Sequence, residues 1–117
     1  MKHLLFSLLI FISIETIAQK PKDGVYTYNV ISVEFNKSYG YCTVEIKGNK
    51  IKVISNKKNR FLGDKNGIID KGIIIKHAKT GLWIIGNSAK DKYVKEFGGC
   101  SGGPNIIDFK RKILWVC

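Results

Sequence analysis

The chain has 117 residues, enough for one domain with a modest core. Twenty Lys and Arg against nine Asp and Glu give a formal charge of +11. A field of that sign draws anionic partners such as nucleic acid, phospholipid head groups or acidic glycans, and disfavours a target that is itself basic. Lysine supplies most of the positive charge and is scattered along the chain among many Ile and Asn residues, so the same excess also reads as a compositional bias with lysine as the default surface residue.

Met1-Lys2-His3 is a short basic start, Leu4 to Ile14 is an almost unbroken apolar run, and Thr16-Ile17-Ala18 places small residues at a cleavage site. This is the layout of a secretory signal peptide, so residues 1–18 are expected to be removed and 19–117 to form a single β domain. The run is about 11 residues, well short of the ~20 that span a bilayer. The expected location is periplasmic or secreted, with no integral span after cleavage.

From residue 19 onward the chain shows short β-rich runs broken by Gly, Asn and Lys turns, the pattern of an antiparallel all-β domain. Val25–Phe35 is the longest run, and its apolar face switches near Val30-Ile31, which predicts a bulge or bend. Asn36–Gly40 reads as a turn. Tyr41–Lys47 alternates, with Cys42, Val44 and Ile46 facing in; Gly48-Asn49 is a two-residue hairpin signal into Lys50–Ser55, where Ile51 and Val53 face in. Asn56–Arg60 is a basic loop and Phe61-Leu62 a short strand. Ile68-Ile69 and Ile73–His77 flank a turn at Asp70-Lys71-Gly72. Ala78–Gly81 turns into Leu82–Ile85, and this unit is apolar on both faces, as a central strand pair would be. Asn87–Phe97 reads as an edge strand or one helical turn. Asn105–Phe109 and Lys112–Val116 form a last hairpin across Lys110-Arg111. Seven or eight short strands need closure or stacking to hide their edges, so the expected fold is a small antiparallel barrel or rolled sheet, with a β-sandwich as the alternative.

The cysteines are Cys42, Cys100 and Cys117, and export permits disulfides. Pairing the last hairpin about Phe109–Lys112 puts Cys117 opposite Pro104, four residues from Cys100, and the intervening glycines curl freely. A Cys100–Cys117 bond is expected, with Cys42 left as a buried free thiol; the alternatives are pairs involving Cys42 and no bond at all.

Cys100 lies in "GGCSGGP", residues 98–104, which resembles the "GDSGGP" box of trypsin-like serine proteases. That resemblance would make Ser101 a nucleophile. The likeness covers seven residues, and Cys100 replaces the acidic residue before the serine. Beyond residues 1–18 the chain has a single histidine, His77, and no histidine box. Nucleophilic serine needs a base within hydrogen-bond reach and a group orienting that base. The stretch therefore reads as a glycine-rich turn carrying a disulfide. A Cys100 thiolate with His77 as base would require a thiol that stays reduced beside another cysteine. One histidine and no CxxC leave no clustered metal ligands, no phosphate or dinucleotide loop is present, and Asp64, Asp70, Asp91 and Glu96 read as turn and surface residues. No metal or cofactor is expected.

The C-terminal half, "GIIIKHAKTGLWIIG" followed by "KEFGGCSGGPNIIDFKRKILWVC", resembles a group of small exported bacterial proteins to which no activity is attached. The likeness implies export and a compact β domain and carries no functional residue.

The function expected from these readings is a non-catalytic binding or interaction module rather than an enzyme, its partner an anionic polymer or another exported protein. Contact candidates are the aromatics Tyr26, Tyr28 and Tyr39 and the basic residues Lys57, Lys58, Arg60, Lys110 and Arg111. The alternative is a binder of nucleic acid or another anionic polymer, using stacking aromatics beside lysines. A thiol or serine hydrolase is third.

Overall fold

The computed structural model describes residues 19–56 and 63–117. The expected signal peptide, the Phe61-Leu62 strand and residues 57–60 of the basic loop lie outside the described residues.

Among the described residues seven strands form one closed barrel in sequential order. They are β1 (Gly24–Ser32), β2 (Lys37–Lys47), β3 (Lys50–Ser55), β4 (Ile68–Lys76), β5 (Trp83–Gly86), β6 (Asn105–Asp108) and β7 (Ile113–Val116). Closure removes both sheet edges, which a flat sheet of this size would leave open to pairing. Each strand runs antiparallel to the next, but β1 and β7 close the barrel in parallel, from Asn29↔Ile113 to Ser32↔Val116. The expectation of a wholly antiparallel barrel is corrected here, and the reason is parity. An up-and-down chain with an odd number of strands must bring its first and last strands together pointing the same way.

Every strand alternates between a lumen filled with side chains and an outer wall, as small barrels do. Tyr28, Val30, Cys42, Val44, Ile46, Ile51, Val53, Ile74, Ile85, Ile107, Phe109 and Leu114 fill the lumen. The β2–β3 hairpin pairs Cys42↔Ser55 through Lys47↔Lys50 across Gly48-Asn49, with the inward residues the alternation indicates. The register shifts between Val30 and Ile31, where a bulge was expected, and the extra residue is Tyr39 on β2. The apolar face of β1 does not switch, however. Tyr28, Val30 and Ser32 stay inside, while Ile31 faces outward beside Trp115.

Two expected turns are corrected. The β1–β2 turn falls at residues 33–36, not 36–40, because Asn36 adopts a left-handed φ of 48° and Ser32 Oγ accepts the Phe35 N–H. Asp70-Lys71-Gly72 is not a turn but the middle of β4. Gly72 is there because a Cβ would lie 2.2 Å from the Gly86 carbonyl oxygen, so only glycine lets β4 and β5 approach. Asn87–Phe97 holds a single 3-10 turn, Ala89–Tyr93, begun by Asp91 accepting the Asn87 N–H at 2.7 Å. It packs on the outer faces of β4 and β5. That cover accounts for the apolar character of both faces: Ile74 and Ile85 face the lumen, while Ile75 and Ile84 are buried on the outside.

Asp70 is not an ordinary surface residue. β5 is shorter than β4, and residues 68–72 of β4 have no partner on β5. Asp70 Oδ2 fills that gap by accepting the Asn105 side-chain amide of β6 at 2.8 Å, and Oδ1 accepts the Lys71 N–H. Burial pushes its carboxyl above the ordinary 3.8, against the opposing pull of these bonds. An acid whose folded pKa is raised leaves the native state holding more protons than the unfolded one, so stability falls as pH rises through the interval above 3.8. Asp70→Asn is expected to flatten that slope while keeping an amide oxygen for the Lys71 N–H. Urea midpoints across the acid range check this; parallel pH profiles for the two proteins would remove Asp70 from the account.

Candidate functional site

Of the expected contact aromatics, Tyr28 is corrected. Tyr28 is 1% exposed and packs edge-on to Phe109, and burial, with Tyr26 nearby, pushes its phenol up to about 12. Tyr26 and Tyr39 are half-buried against the same core, and the Tyr26 hydroxyl donates to the Lys22 carbonyl. On β1 the tyrosine face is the lumen face, which withdraws Tyr28 from the surface, while Tyr39 is the bulged residue of β2. Lys57, Lys58 and Arg60 lie outside the described residues. Lys110 and Arg111 are exposed on the β6–β7 turn, where Asp108 Oδ1 accepts both their N–H groups and Asp108 Oδ2 is 3.8 Å from Arg111 Nε.

The glycine-rich stretch is a turn. Gly98, Gly99 and Gly102 have φ of 75°, 53° and 83°, and the Gly98 N–H donates to the Pro104 carbonyl. The Ser101 hydroxyl donates to the Gly98 carbonyl at 2.7 Å. The turn brings Cys100 and Cys117 to disulfide distance, with Cα atoms 4.7 Å apart. Cys42 is buried, and burial pushes its thiol up to about 11. His77 directly follows the end of β4 and is buried. Its Nε2 faces the Val94 carbonyl at 2.7 Å, Nδ1 faces the Thr80 hydroxyl at 3.0 Å, and the ring stacks on Phe97. A carbonyl only accepts, so the proton sits on Nε2 and both nitrogens are occupied. The ring's partners are thus Thr80 and Val94, and the Ser101 hydroxyl is engaged by the Gly98 carbonyl. Glu34, Cys100 and Cys117 bring three donor atoms within 4.8 Å, but a disulfide offers no thiolate to a metal.

The feature that stands out on the surface is a basic wall. On β2 and β3, Lys47, Lys50 and Lys52 alternate outward from the inward Ile46, Ile51 and Val53. Pairing then sets Lys47 opposite Lys50 on one row, and Lys52 opposite Lys71 of β4 on the next. Like charges directly opposite on a sheet oppose folding. Among the described residues none of these four lysines reaches a carboxylate at ion-pair distance, although Glu45 stands opposite Lys52. They line a groove of about 1020 Å³, whose outward apolar lining includes exposed Val25 and Ile73, the β4 partner of Lys50. Asp23, the other acid beside it, accepts the Gly48 N–H, and Lys20 Nζ bonds the Gly48 carbonyl at the same end. The alternation of Lys47, Lys50 and Lys52 is visible in the sequence, but Lys71 joins them only through strand pairing.

Among the described residues no helix is long and apolar enough to cross a membrane. No protein-family model matches the chain, and no curated protein or solved structure matches it.

Proposed function

We propose that this chain is a non-catalytic binding module that holds an extended anionic polymer against the outer wall of β2–β4. The observation that carries the reading is the pair of like-charged cross-strand partners, Lys47/Lys50 and Lys52/Lys71, without a carboxylate at ion-pair distance. Such pairs cost stability unless an anion spans them, and a polymer running along the wall meets all four in turn. Four lysines converge on this wall while Tyr28 is withdrawn into the lumen, so recognition rests chiefly on phosphate or sulfate charge. An exported location belongs to the same proposal: a cysteine pair at disulfide distance is compatible with an oxidising compartment.

A labelled single-stranded oligonucleotide titrated at several salt concentrations tests this. Affinity is expected to fall steeply with salt, and Lys52→Gln with Lys71→Gln to reduce the log–log slope by about 1 to 2. No binding at low salt, or an unchanged slope in the double variant, rejects the basic wall as the site.

A further inference from the structure

We propose that a second groove, on the outside of β5–β7, binds a monoanionic amphiphile through its acyl chain. This site is on a different wall from the lysine rows and does not depend on the polyanion reading.

The outward positions of a barrel wall in water are ordinarily polar. Here one outer row is apolar across four strands: Ile84 opposite Ile106, Ile106 opposite Trp115, and Trp115 beside Ile31. The chain from Ala89 onward covers one end of the row and leaves the other open. What remains is a groove of about 720 Å³ whose apolar lining includes Val33, Leu82, Trp83, Phe97, Ile106 and Trp115. That volume is in the ordinary range for a small-molecule site. Gly98 and Gly99 form one side, and a Cβ on Gly98 would lie 2.5 Å from Ile106 Cδ1, so backbone is laid directly on the floor. Leu82 and Val33 on the rim are 44% and 49% exposed. Apolar surface gathered in a groove, rather than scattered, marks a place where something apolar binds.

The charge at the Trp83 end selects the head group. Asp108 is the one ionisable residue in the lining. Its carboxylate is already engaged by the Lys110 and Arg111 N–H groups and lies beside the Arg111 guanidinium. Lys76 Nζ sits 5.8 Å over the Trp83 ring, and its Cε is 3.9 Å from where a Cβ on Gly81 would be. Arg111 offsets Asp108, and among the described residues no carboxylate reaches Lys76 at ion-pair distance, which leaves one positive charge at the Trp83 end of the apolar trough. A chain in the trough with a carboxylate or similar monoanion at that end satisfies both.

The chain's two tryptophans both line this groove, so intrinsic fluorescence reports on it directly. The full chain is titrated with laurate, with a neutral dodecyl glycoside, and with a disaccharide, each below any micelle threshold. Laurate is expected to shift the emission saturably, and the neutral amphiphile to bind about tenfold more weakly, the cost of one lost charge contact. Leu82→Glu and, as a second rim variant, Val33→Glu should each weaken laurate by about tenfold or more with the thermal midpoint unchanged, because both positions are exposed in the free protein. Lys76→Gln should weaken laurate and leave the neutral amphiphile alone. No saturable shift, equal affinity for the two amphiphiles, indifference to both rim variants, or a response to the disaccharide in place of laurate would each overturn the proposal.

Discussion

Leu114→Ala is expected to cost the domain about 3 to 5 kcal/mol. Leu114 is fully buried, and it stands opposite Val30 on one side and Ile107 on the other. Strand β7 is both the end of the meander and the parallel seam, so a cavity there weakens antiparallel pairing and closure at once. With neighbours on both flanks held in the ladder, the lumen has little room to collapse onto the space, which places the loss toward the upper part of the range for such truncations. A domain of this size is stable by roughly 5–15 kcal/mol, so the variant should lose a large share of its stability. Urea denaturation checks this, and Val25→Ala, at 70% exposed, serves as the contrast and should stay within about 0.5 kcal/mol of the parent. A Leu114→Ala loss below about 1 kcal/mol would mean that the lumen is not the packed core described here.

Removing the Cys100–Cys117 link is expected to cost about 3 kcal/mol, the chain-entropy value for a loop of this size, given a sequence separation of 17. The seam it protects is short, with four residue pairs between β1 and β7. Beyond them the Val33 N–H donates to the Val116 carbonyl, and Ser32 Oγ to the Cys117 carbonyl at 2.9 Å. All of these bonds depend on residues 113–117 staying against β1. Cys100→Ser, Cys117→Ser and the double variant should therefore lose the same stability, because each breaks one shared bond, and amide exchange should quicken first in β7. Additive losses would show two independent packing effects instead of a bond. Intact mass after alkylation in denaturant gives a direct count: one adduct, on Cys42, is expected, and three would remove the link altogether.

Much of the barrel can be read before any coordinates. The Tyr41–Ser55 hairpin is legible because period-2 alternation and a Gly-Asn turn are local signals, and the structure keeps both residues and register. The proximity of Cys100 and Cys117 is legible for a related reason. Once the last hairpin is centred on Lys110-Arg111, register alone carries Cys117 alongside the glycine turn. The Asp70-Lys71-Gly72 segment misleads because Asp and Gly usually mark turns. Here the carboxylate reaches across to Asn105 and the glycine admits a neighbouring carbonyl, two demands made by strands distant in sequence.

The candidate sites divide in the same way. Composition declares a basic protein, and alternation places three lysines on one face of a hairpin. Which face of β1 is inside is undecided locally, because both faces carry apolar residues and tyrosines read equally well as contacts or as core. The sequence by itself determined strand content, the central hairpin and the reach between two cysteines, since each depends on neighbours along the chain. The tertiary structure alone decided the parallel seam, the inward turn of the tyrosines, the Lys52–Lys71 pair and the aromatic groove. Those follow from closing seven strands into a ring and from the one-residue shift at Val53/Ile54, where a different register would have sent Lys71 to another partner.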